Sequence, residues 1–428
     1  MVGMMSLIFL LLIILGVPIA YCMGLGAFAA LITHMPNSAI TVASKMFGGL
    51  DSFSLMAIPY FLLAGNLMDA AGISKQLVEF AELLVGRIKG GLAMAGVVAG
   101  VIFAGVSGSN AADTSAIGSI LIPAMKEKGY EDSWSCGLIS TTGILGPIIP
   151  PSILAILYST ATGLSVGALF IAGVLPGIIL AAGLLWLCYR YAVKRKLVNS
   201  GADKRTSAEA LSILGTALPA LIMPAIIIGG ILSGVFTATE SAAVACIYAI
   251  AYGICSRKLT FRRFWKAMRE SVMTACKLML IVSVASLFGW ILSVEAFPVK
   301  VVAAMTNLTN SKYVIMLLII VLLLFVGCFM ETIAALTILV PVLNPLALSY
   351  GIDNIQFAML FIVTLLIGAI TPPVGVNLYI TSGIAGIKFA DTLKYLPQFI
   401  LLATVVCLLI MFVPGITTWL PTAAGFGM

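Results

Sequence analysis

The sequence predicts an all-α polytopic membrane protein made of two inverted repeats, each with a re-entrant helical hairpin and a discontinuous helix. Of its 428 residues, 61% are hydrophobic and 9% are charged, whereas soluble domains carry roughly 25% charged residues. Apolar runs of about 20 residues recur along the chain, and each can cross a hydrocarbon core roughly 30 Å thick. Two polar interruptions and two Pro-Pro pairs recur at equal spacing, which indicates the repeat.

The basic residues set the predicted orientation. Nineteen of the 23 Lys and Arg fall into five groups, at residues 75–89, 126–128, 190–205, 257–269 and 388–394. Loops rich in Lys and Arg stay in the cytoplasm, so we expect these groups on the cytoplasmic side of a bacterial inner membrane. The net charge of +7 therefore fits contact with membrane lipid and does not indicate nucleic acid. No small-residue cleavage site follows the first apolar run, and we expect that run to be retained.

The first half contains six predicted elements. In chain order they are a span kinked at Pro18 (residues 4–33), a second span (53–69), an amphipathic surface helix (73–88), an interrupted hairpin (91–125), a broken helix (137–161) and a third span (170–191). The surface helix is predicted because apolar residues lie at helical spacing on one face, with Lys75, Glu79 and Glu82 on the other.

The first hairpin and the first broken helix are predicted from polar residues and prolines. The polar residues 107–110 leave two arms of about 15 or 16 residues, near 23 Å at 1.5 Å per residue, which is too short to span. Both outer ends lie among basic residues, so the segment enters and leaves on one side. Prolines remove backbone donors and clash with the preceding turn, so Pro147, Pro150 and Pro151 should unwind the next helix.

The second half repeats this pattern. Its predicted elements are a polar linker (193–209), two spans (211–232, 238–255), a basic amphipathic segment (259–269), a third span (274–294), an interrupted hairpin (313–348) and a broken helix (357–383). The distance from Ser109 to Pro150 is 41 residues, and that from Glu331 to Pro372 is also 41, which favours an internal repeat. The second hairpin ends in sparsely basic loops, so the halves are inverted, a pattern that marks a transporter site.

The chain divides into six predicted regions. They are the helices before the first hairpin (1–90), the first hairpin with its broken helix and following span (91–190), a cytoplasmic linker (191–210), the helices before the second hairpin (211–312), the second hairpin with its broken helix (313–394) and a C-terminal helix (395–428).

The hairpin tips and unwound centres predict ion and substrate sites. Uncovered backbone groups in hydrocarbon cost several kcal/mol. Freed carbonyls and hydroxyls suit a hard cation such as sodium, and freed amides at half-helix N-termini favour an anion. The predicted sodium ligands are Ser107, Gly108, Asn110, Thr142, Gly143, Gly327, Met330, Thr332, Thr371, Pro372 and Gly375. The predicted substrate contacts are Ser109, Asn110, Pro150, Glu331 and Asn377. The alternative is that these residues only interrupt helix packing and that their hydroxyls bond within the protein.

Three carboxylates and one histidine allow more than one interpretation. Asp113 and Glu331 are membrane-embedded and thus functional candidates, although each could instead cap a helix. Glu240 fits a helix cap better than a functional site. His34, the only histidine, is expected in a solvated outer loop. An intramembrane serine protease built on Ser107 would need a general base within reach, and the lone His34 is a poor candidate for it.

Six short motifs resemble, in order, the large membrane subunit of tripartite ATP-independent periplasmic (TRAP) transporters. They are MAIPYF at 56–61, VSGS at 106–109, GPIIPPS at 146–152, FIAGVLPG at 170–177, SGVFTATE at 233–240 and ITPPVG at 370–375. Each motif alone is weak, but the ordered set is specific.

The resemblance implies a sodium-driven importer of organic acids, with sialic acid or a C4-dicarboxylate as the substrate class and Na⁺ as the coupling ion. It implies an elevator-type movement, in which a transport domain (91–190 and 313–394) slides against scaffold and arm helices (1–90 and 211–312). It also implies two separate partners, a small four-helix membrane subunit and a periplasmic substrate-binding protein. A self-sufficient sodium/dicarboxylate symporter with similar inverted hairpins is the alternative.

Overall fold

The computed structural model describes residues 1–35, 39–197 and 207–426, and these confirm the all-α fold. The helices are α1 (Val2–Ile14), α2 (Ile19–His34), α3 (Ala39–Gly48), α4 (Ala57–Ala70), α5 (Ile73–Val85), α6 (Gly91–Ser107), α7 (Asn110–Glu127), α8 (Asp132–Gly143), α9 (Ile153–Thr162), α10 (Val166–Arg195), α11 (Ser207–Leu232), α12 (Ala238–Cys255), α13 (Phe261–Val294), α14 (Phe297–Leu308), α15 (Lys312–Phe329), α16 (Thr332–Ser349), α17 (Asn354–Gly368), α18 (Val376–Ala385), α19 (Phe389–Thr392), α20 (Leu396–Phe412) and α21 (Gly415–Ala423). Within the described ranges, seven helices are long and apolar enough to cross a membrane, or eight if α20 and α21 form one bent span. Most of the predicted linker, residues 198–206, lies outside the described residues.

Both predicted hairpins form helix–turn–helix units with two-residue turns. Gly108 and Ser109 separate α6 from α7, and Met330 and Glu331 separate α15 from α16. The arms have 17 or 18 residues, slightly more than the sequence predicts. At 1.5 Å per residue an 18-residue arm reaches about 27 Å, just short of a hydrocarbon core of roughly 30 Å.

Both predicted broken helices carry a proline pair at the break. Residues 144–152 separate α8 from α9, and residues 369–375 separate α17 from α18. The Pro150–Pro151 and Pro372–Pro373 peptide bonds are both cis. The equal spacing in the sequence therefore corresponds to two equivalent unwound segments.

The two repeats interleave in the core. Helix α9 packs against α16, whereas α18 packs against α7 and α8. Tyr158 on α9 donates a hydrogen bond to Oδ1 of Asn344 on α16 at 2.9 Å. Asn377 on α18 donates from Nδ2 to the carbonyl of Ser140 on α8 at 3.0 Å. Each half-helix that follows a break is thus held by the opposite repeat.

Three short helices, α3, α14 and α19, are absent from the sequence-based prediction. Helix α14 holds the place in the second repeat that α5 holds in the first. Each starts three residues after the preceding helix ends, at Ile73 after Ala70 and at Phe297 after Val294, and each precedes a hairpin. The predicted amphipathic helix over 73–88 is confirmed as α5, with Leu77 among the buried residues.

The predicted single span over residues 4–33 is wrong. Helices α1 and α2 fold back on each other, so that Thr33 Oγ1 lies 3.4 Å from Met4 Sδ. The turn contains Gly16 with a φ of 77°, a conformation that glycine adopts freely. Pro18 then starts a new helix instead of kinking a continuous one.

Two further boundaries also differ from the prediction. The basic segment 259–269 and the span 274–294 form one 34-residue helix, α13. No proline or glycine lies between them, so the change from amphipathic to apolar sequence leaves the backbone hydrogen bonds intact. The predicted C-terminal helix is two helices, α20 and α21, bent by 64° at a break that contains Pro414.

Candidate functional site

The first hairpin tip contacts the break in the first broken helix. A Cβ atom on Gly108 would lie 2.5 Å from the carbonyl oxygen of Pro151. Gly108 also has a φ of 62°, in the left-handed region that favours glycine. On the other side of the tip, a Cβ on Gly143 would lie 2.9 Å from the carbonyl oxygen of Asn110. Three of the predicted sodium ligands, Gly108, Asn110 and Gly143, therefore lie along one contact between tip and break.

Asp113 lies just after this tip, in the first turn of α7. Its Oδ1 accepts a hydrogen bond from Ser107 Oγ, and Ser107 Oγ also accepts from the backbone N–H of Ser109 at 3.1 Å. Asp113 is 1% exposed, and its Oδ2 is buried with no hydrogen-bond partner among the described residues. The N-cap residue of α7 is Ser109, so Asp113 does not cap that helix. A buried carboxylate with a free oxygen is costly unless a proton or a cation neutralises it.

Two threonines in the broken helix differ in their hydrogen bonds. Thr141 Oγ1 donates to the carbonyl of Gly137 at 2.8 Å. Thr142, a predicted sodium ligand, is 1% exposed, and its Oγ1 is a second buried oxygen without a partner among the described residues. Asn110 Oδ1, in contrast, accepts from the N–H of Ala111 at 2.8 Å. Thr142 therefore has an uncommitted side-chain oxygen, whereas the Asn110 side-chain oxygen is already engaged locally.

The second hairpin tip ends in a helix cap. Glu331 Oε2 accepts from the N–H groups of Ile333 at 3.0 Å and Ala334 at 3.1 Å. Glu331 therefore caps α16, as one of its two interpretations predicts. The residue is also exposed. Next to the tip, the N–H of Val374 donates to the carbonyl of Cys328 at 3.2 Å. This backbone hydrogen bond joins the end of α15, beside the second tip, to the second break.

The remaining predicted ligands of the second cluster lie around the same contact. A Cβ atom on Gly327 would lie 3.1 Å from Cα of Gly368, so α15 and α17 touch there. Thr371 Oγ1 donates to the carbonyl of Ile367 at 2.6 Å. Gly375 precedes α18 with a φ of 52°. Met330 lies in the tip and Pro372 in the break.

One cavity of about 180 Å³ lies between the two tips. Its polar wall is formed by Gly108, Ser109 and Asn110 of the first tip and by Glu331 and Thr332 of the second; Leu62, Pro147, Leu154, Thr274 and Leu278 are among the other lining residues. The structure therefore brings residues from both predicted clusters to one space.

Two predicted substrate contacts lie elsewhere. Pro150 is buried, and Pro147, not Pro150, lines the cavity. Asn377 is 0% exposed and bonds to Ser140. Both residues support the walls of the site without facing the cavity.

A second cavity of about 350 Å³ adjoins the first on the basic side of the molecule. Leu62 and Ser109 line both. Its wall includes Asn66 and Asp69 of α4 together with Asp113. Asn66 Nδ2 donates to Ser271 Oγ on α13 at 2.8 Å.

Sequence reasoning missed the wall that α4 and α13 provide. Asn66 is the one amide in the apolar run 57–68, a signal that could have identified it. Leu62, Thr274 and Leu278 offer no such signal, because their place in the wall depends on helix packing.

Glu240 caps a helix, and His34 is solvated as predicted but ends helix α2 instead of lying in a loop. Glu240 completes a capping box with Thr237, whose N–H donates to Glu240 Oε2 at 2.8 Å. His34 is exposed at the end of α2, with Nδ1 2.9 Å from Thr33 Oγ1. The hydroxyl of Ser107 donates to Asp113, and His34, whose Nδ1 contacts Thr33 and Ala30, makes no hydrogen bond to Ser107.

Comparisons with known proteins agree over nearly the whole chain. The family model described as "Tripartite ATP-independent periplasmic transporter, DctM component" matches residues 6–416. The sialic acid TRAP transporter large permease protein SiaM of Vibrio cholerae is 37% identical over 408 residues, covering 95% of each chain. The C4-dicarboxylate TRAP transporter large permease protein DctM of Pseudomonas aeruginosa is 37% identical over 404 residues, covering 94% of each chain.

A longer relative and a solved structure extend the comparison. The isethionate TRAP transporter permease protein DctMQ of Oleidesulfovibrio alaskensis is 37% identical over 409 residues, which are 95% of this chain and 64% of DctMQ. MtrF of Neisseria gonorrhoeae, described as one of a class of antimetabolite efflux pumps, is similar in structure with a TM-score of 0.63 at 13% identity, covering 90% of this chain and 86% of MtrF. At that identity the likeness concerns the fold alone.

Proposed function

The chain belongs to the DctM-component family of tripartite ATP-independent periplasmic transporters, and on that premise we propose that it imports a small organic acid by sodium-coupled transport. It is a multi-pass inner-membrane protein. The names of its relatives include sialic acid, C4-dicarboxylate and isethionate permeases. The proposed substrate class is sialic acid or a C4-dicarboxylate.

The shared cavity between the hairpin tips is the observation that carries this proposal. It is small and holds the amino ends of α7 and α16, where backbone N–H groups and the helix dipole favour an anion. Glu331 already occupies the amino end of α16. Ser109 makes no side-chain capping bond at α7. We therefore assign the substrate carboxylate to the amino end of α7.

Sodium coupling is supported by the free oxygens beside the first tip. Asp113 Oδ2 and Thr142 Oγ1 are both buried without partners among the described residues, and hard cations prefer carboxylate, hydroxyl and carbonyl oxygens. Gly146 has no Cβ atom, and this lets the Asp113 carboxylate pack directly against the first break. In this proposal Asp113 joins the predicted ligands of the first cluster, and a sodium ion neutralises its charge. The second cluster, around Gly327 and Thr371, is proposed as a second sodium site.

The elevator movement is proposed from the position of the cavity. One wall comes from the hairpins and broken helices, and the opposite wall comes from Leu62 of α4 and Thr274 of α13. A displacement of residues 91–190 and 313–394 against these helices would carry the substrate from one side of the membrane to the other. A small four-helix membrane subunit and a periplasmic substrate-binding protein are the proposed partners.

Reconstitution tests the proposal. Proteoliposomes would hold this chain alone, the chain with its small subunit, or both together with a sialic acid- or dicarboxylate-loaded binding protein, each with and without an inward sodium gradient. We expect uptake only with all three proteins and sodium. Uptake by the chain alone would instead establish a self-sufficient symporter. Sodium-dependent uptake by a Ser107→Ala variant would exclude a serine nucleophile.

A further inference from the structure

A groove of about 510 Å³ lies between the cytoplasmic ends of α10 and α20, remote from the hairpin tips. The two helices meet at Gly183, where a Cβ atom would lie 3.1 Å from Leu402 Cδ2. The groove extends from this contact toward the basic ends of the helices. Its wall includes Trp186, Arg190, Lys194, Gln398, Leu402 and Val405. None of these residues belongs to the proposed transport site.

The mouth of the groove is positively charged. Arg190 and Lys194 lie one turn apart on α10, and the Arg190 guanidinium lies 4.7 Å from the centroid of the Trp186 ring. Arg195, also at the mouth, pairs with Glu131. No carboxylate in the described ranges pairs with Arg190 or Lys194. Within this part of the chain, two cations therefore face the groove without a carboxylate counter-ion.

The rest of the groove faces the bilayer. Trp186 is 55% exposed, Leu401 is 65% exposed and Val405 is 44% exposed. Large apolar side chains that are exposed on a membrane-spanning helix contact lipid, and Trp with Arg or Lys marks the headgroup level. The groove thus has a basic mouth at the membrane surface and an apolar interior at the depth of the acyl chains.

Gln398 provides an independent sign of a ligand. It lies one turn inside the mouth on α20, and its Nε2 is buried with no acceptor among the described residues. A buried amide donor that lacks an acceptor is costly. A change of the Gln398 side-chain rotamer toward the groove would let Nε2 donate to a lipid ester carbonyl at that depth.

We propose that this groove binds an anionic phospholipid of the inner leaflet. Its phosphate lies between Arg190 and Lys194, an ester carbonyl accepts from Gln398, and an acyl chain follows Leu402 and Val405. Basic pockets between transmembrane helices on the cytoplasmic side recognise such headgroups. A soluble anion would leave the apolar part of the groove uncovered. A zwitterionic lipid carries a cation of its own, which Arg190 and Lys194 would repel.

Lipid retention by the purified full chain tests the proposal. The protein in detergent is mixed with equal amounts of phosphatidylglycerol and phosphatidylcholine, and bound lipid is counted by native mass spectrometry. We expect at least tenfold preference for phosphatidylglycerol. The double variant Arg190→Gln/Lys194→Gln should reduce this preference to less than threefold. The matched control Arg262→Gln/Arg269→Gln removes two exposed charges from α13 and should keep it.

Two further arms distinguish a bound phospholipid from a bound soluble anion. Gln398→Leu keeps both cations, and we expect weaker retention of phosphatidylglycerol with an unchanged elution volume in size exclusion. Inorganic phosphate at 100-fold excess over lipid should not displace the phospholipid. Equal retention of the two lipids, equal loss in the double variant and its control, or displacement by phosphate would each overturn the proposal.

Discussion

Gly146 lies so close to Asp113 that a Cβ atom at this position would overlap the Oδ2 oxygen and lie 3.2 Å from Cγ. The break in the first broken helix and the carboxylate after the first tip are therefore fitted to each other. The glycine lets the carboxylate pack against the break, where Oδ2 is buried with no hydrogen-bond partner among the described residues.

Asp113→Asn is expected to impair sodium coupling. The amide has almost the same shape but carries no charge to bind a cation. We expect the sodium concentration for half-maximal uptake to rise at least tenfold, equivalent to about 1.4 kcal/mol, measured in proteoliposomes with the partner proteins. Asp391→Asn, at an exposed carboxylate near the cytoplasmic surface, serves as the control. An unchanged sodium response in Asp113→Asn would remove Asp113 from the site.

Gly108→Ala should inactivate transport, whereas Gly163→Ala should not. Both glycines have a positive φ, 62° and 78°, so both variants lose about 1 kcal/mol of stability to the left-handed conformation. Only at position 108 would the new Cβ also approach the Pro151 carbonyl; position 163 is open. Thermal unfolding in detergent measures the loss of stability, and uptake in proteoliposomes measures the loss of transport. Equal behaviour of the two variants would mean that the contact between tip and break is not critical.

Asn110→Ala and Thr332→Ala test the two tips separately. Each residue begins the second arm of a hairpin and lines the shared cavity. We expect each variant to raise the half-saturating sodium concentration several-fold, because each removes an oxygen from a proposed ion or substrate site. Thr306→Ala, at an exposed threonine of α14, is the control for hydroxyl loss. Wild-type sodium response in both variants would refute the ion-site assignment.

The tips and breaks can be predicted from the sequence because their chemistry is local. A polar run interrupts an apolar segment, or a proline pair removes backbone donors, and neither signal depends on the rest of the fold. The interleaving of the repeats has no local signal. The hydrogen bond from Tyr158 to Asn344 joins residues 186 positions apart, and the cavity wall at Thr274 likewise depends on distant packing.

The wrong boundaries have a different origin. Pro18 suggests a kink because proline bends helices, but Gly16 has already ended the helix with a positive φ. In α13 the change in composition after residue 269 suggests a boundary. A helix ends where its backbone hydrogen bonds are interrupted, and nothing in residues 270–273 interrupts them.

Glu131 should make stability depend on pH. It joins the start of α8 to α20, because Lys394 Nζ donates to its Oε2 at 2.6 Å and Tyr395 OH donates to its Oε1 at 2.9 Å. The hydrogen bond from Lys394, aided by Tyr395 and Arg195, holds the pKa of Glu131 below its usual value. A lowered folded-state pKa stabilises the fold above the usual carboxyl range and loses that effect as pH falls through the lowered value.

Glu131→Gln is therefore expected to lower stability at pH 7 by less than about 1 kcal/mol, since the ion pairs are partly exposed. The difference from wild type should narrow as pH falls below roughly 4. Thermal unfolding in detergent at several pH values measures it. Glu270→Gln, which removes an exposed pair with Lys266, should show a smaller difference. If the stability difference between Glu131→Gln and wild type grew at acid pH, the stabilising role of the Glu131 carboxylate would be contradicted.

Asn377→Ala distinguishes a substrate contact from a support between the repeats. Asn377 is fully buried, and its Nδ2 bond to the Ser140 carbonyl joins α18 to α8. Removing the donor leaves that carbonyl without its partner, at a cost of about 1–3 kcal/mol. We expect a lower unfolding temperature with an unchanged KM for uptake, and no effect in the exposed control Asn307→Ala. If KM rises while the unfolding temperature holds, Asn377 contacts substrate directly, in a conformation in which α18 faces the cavity.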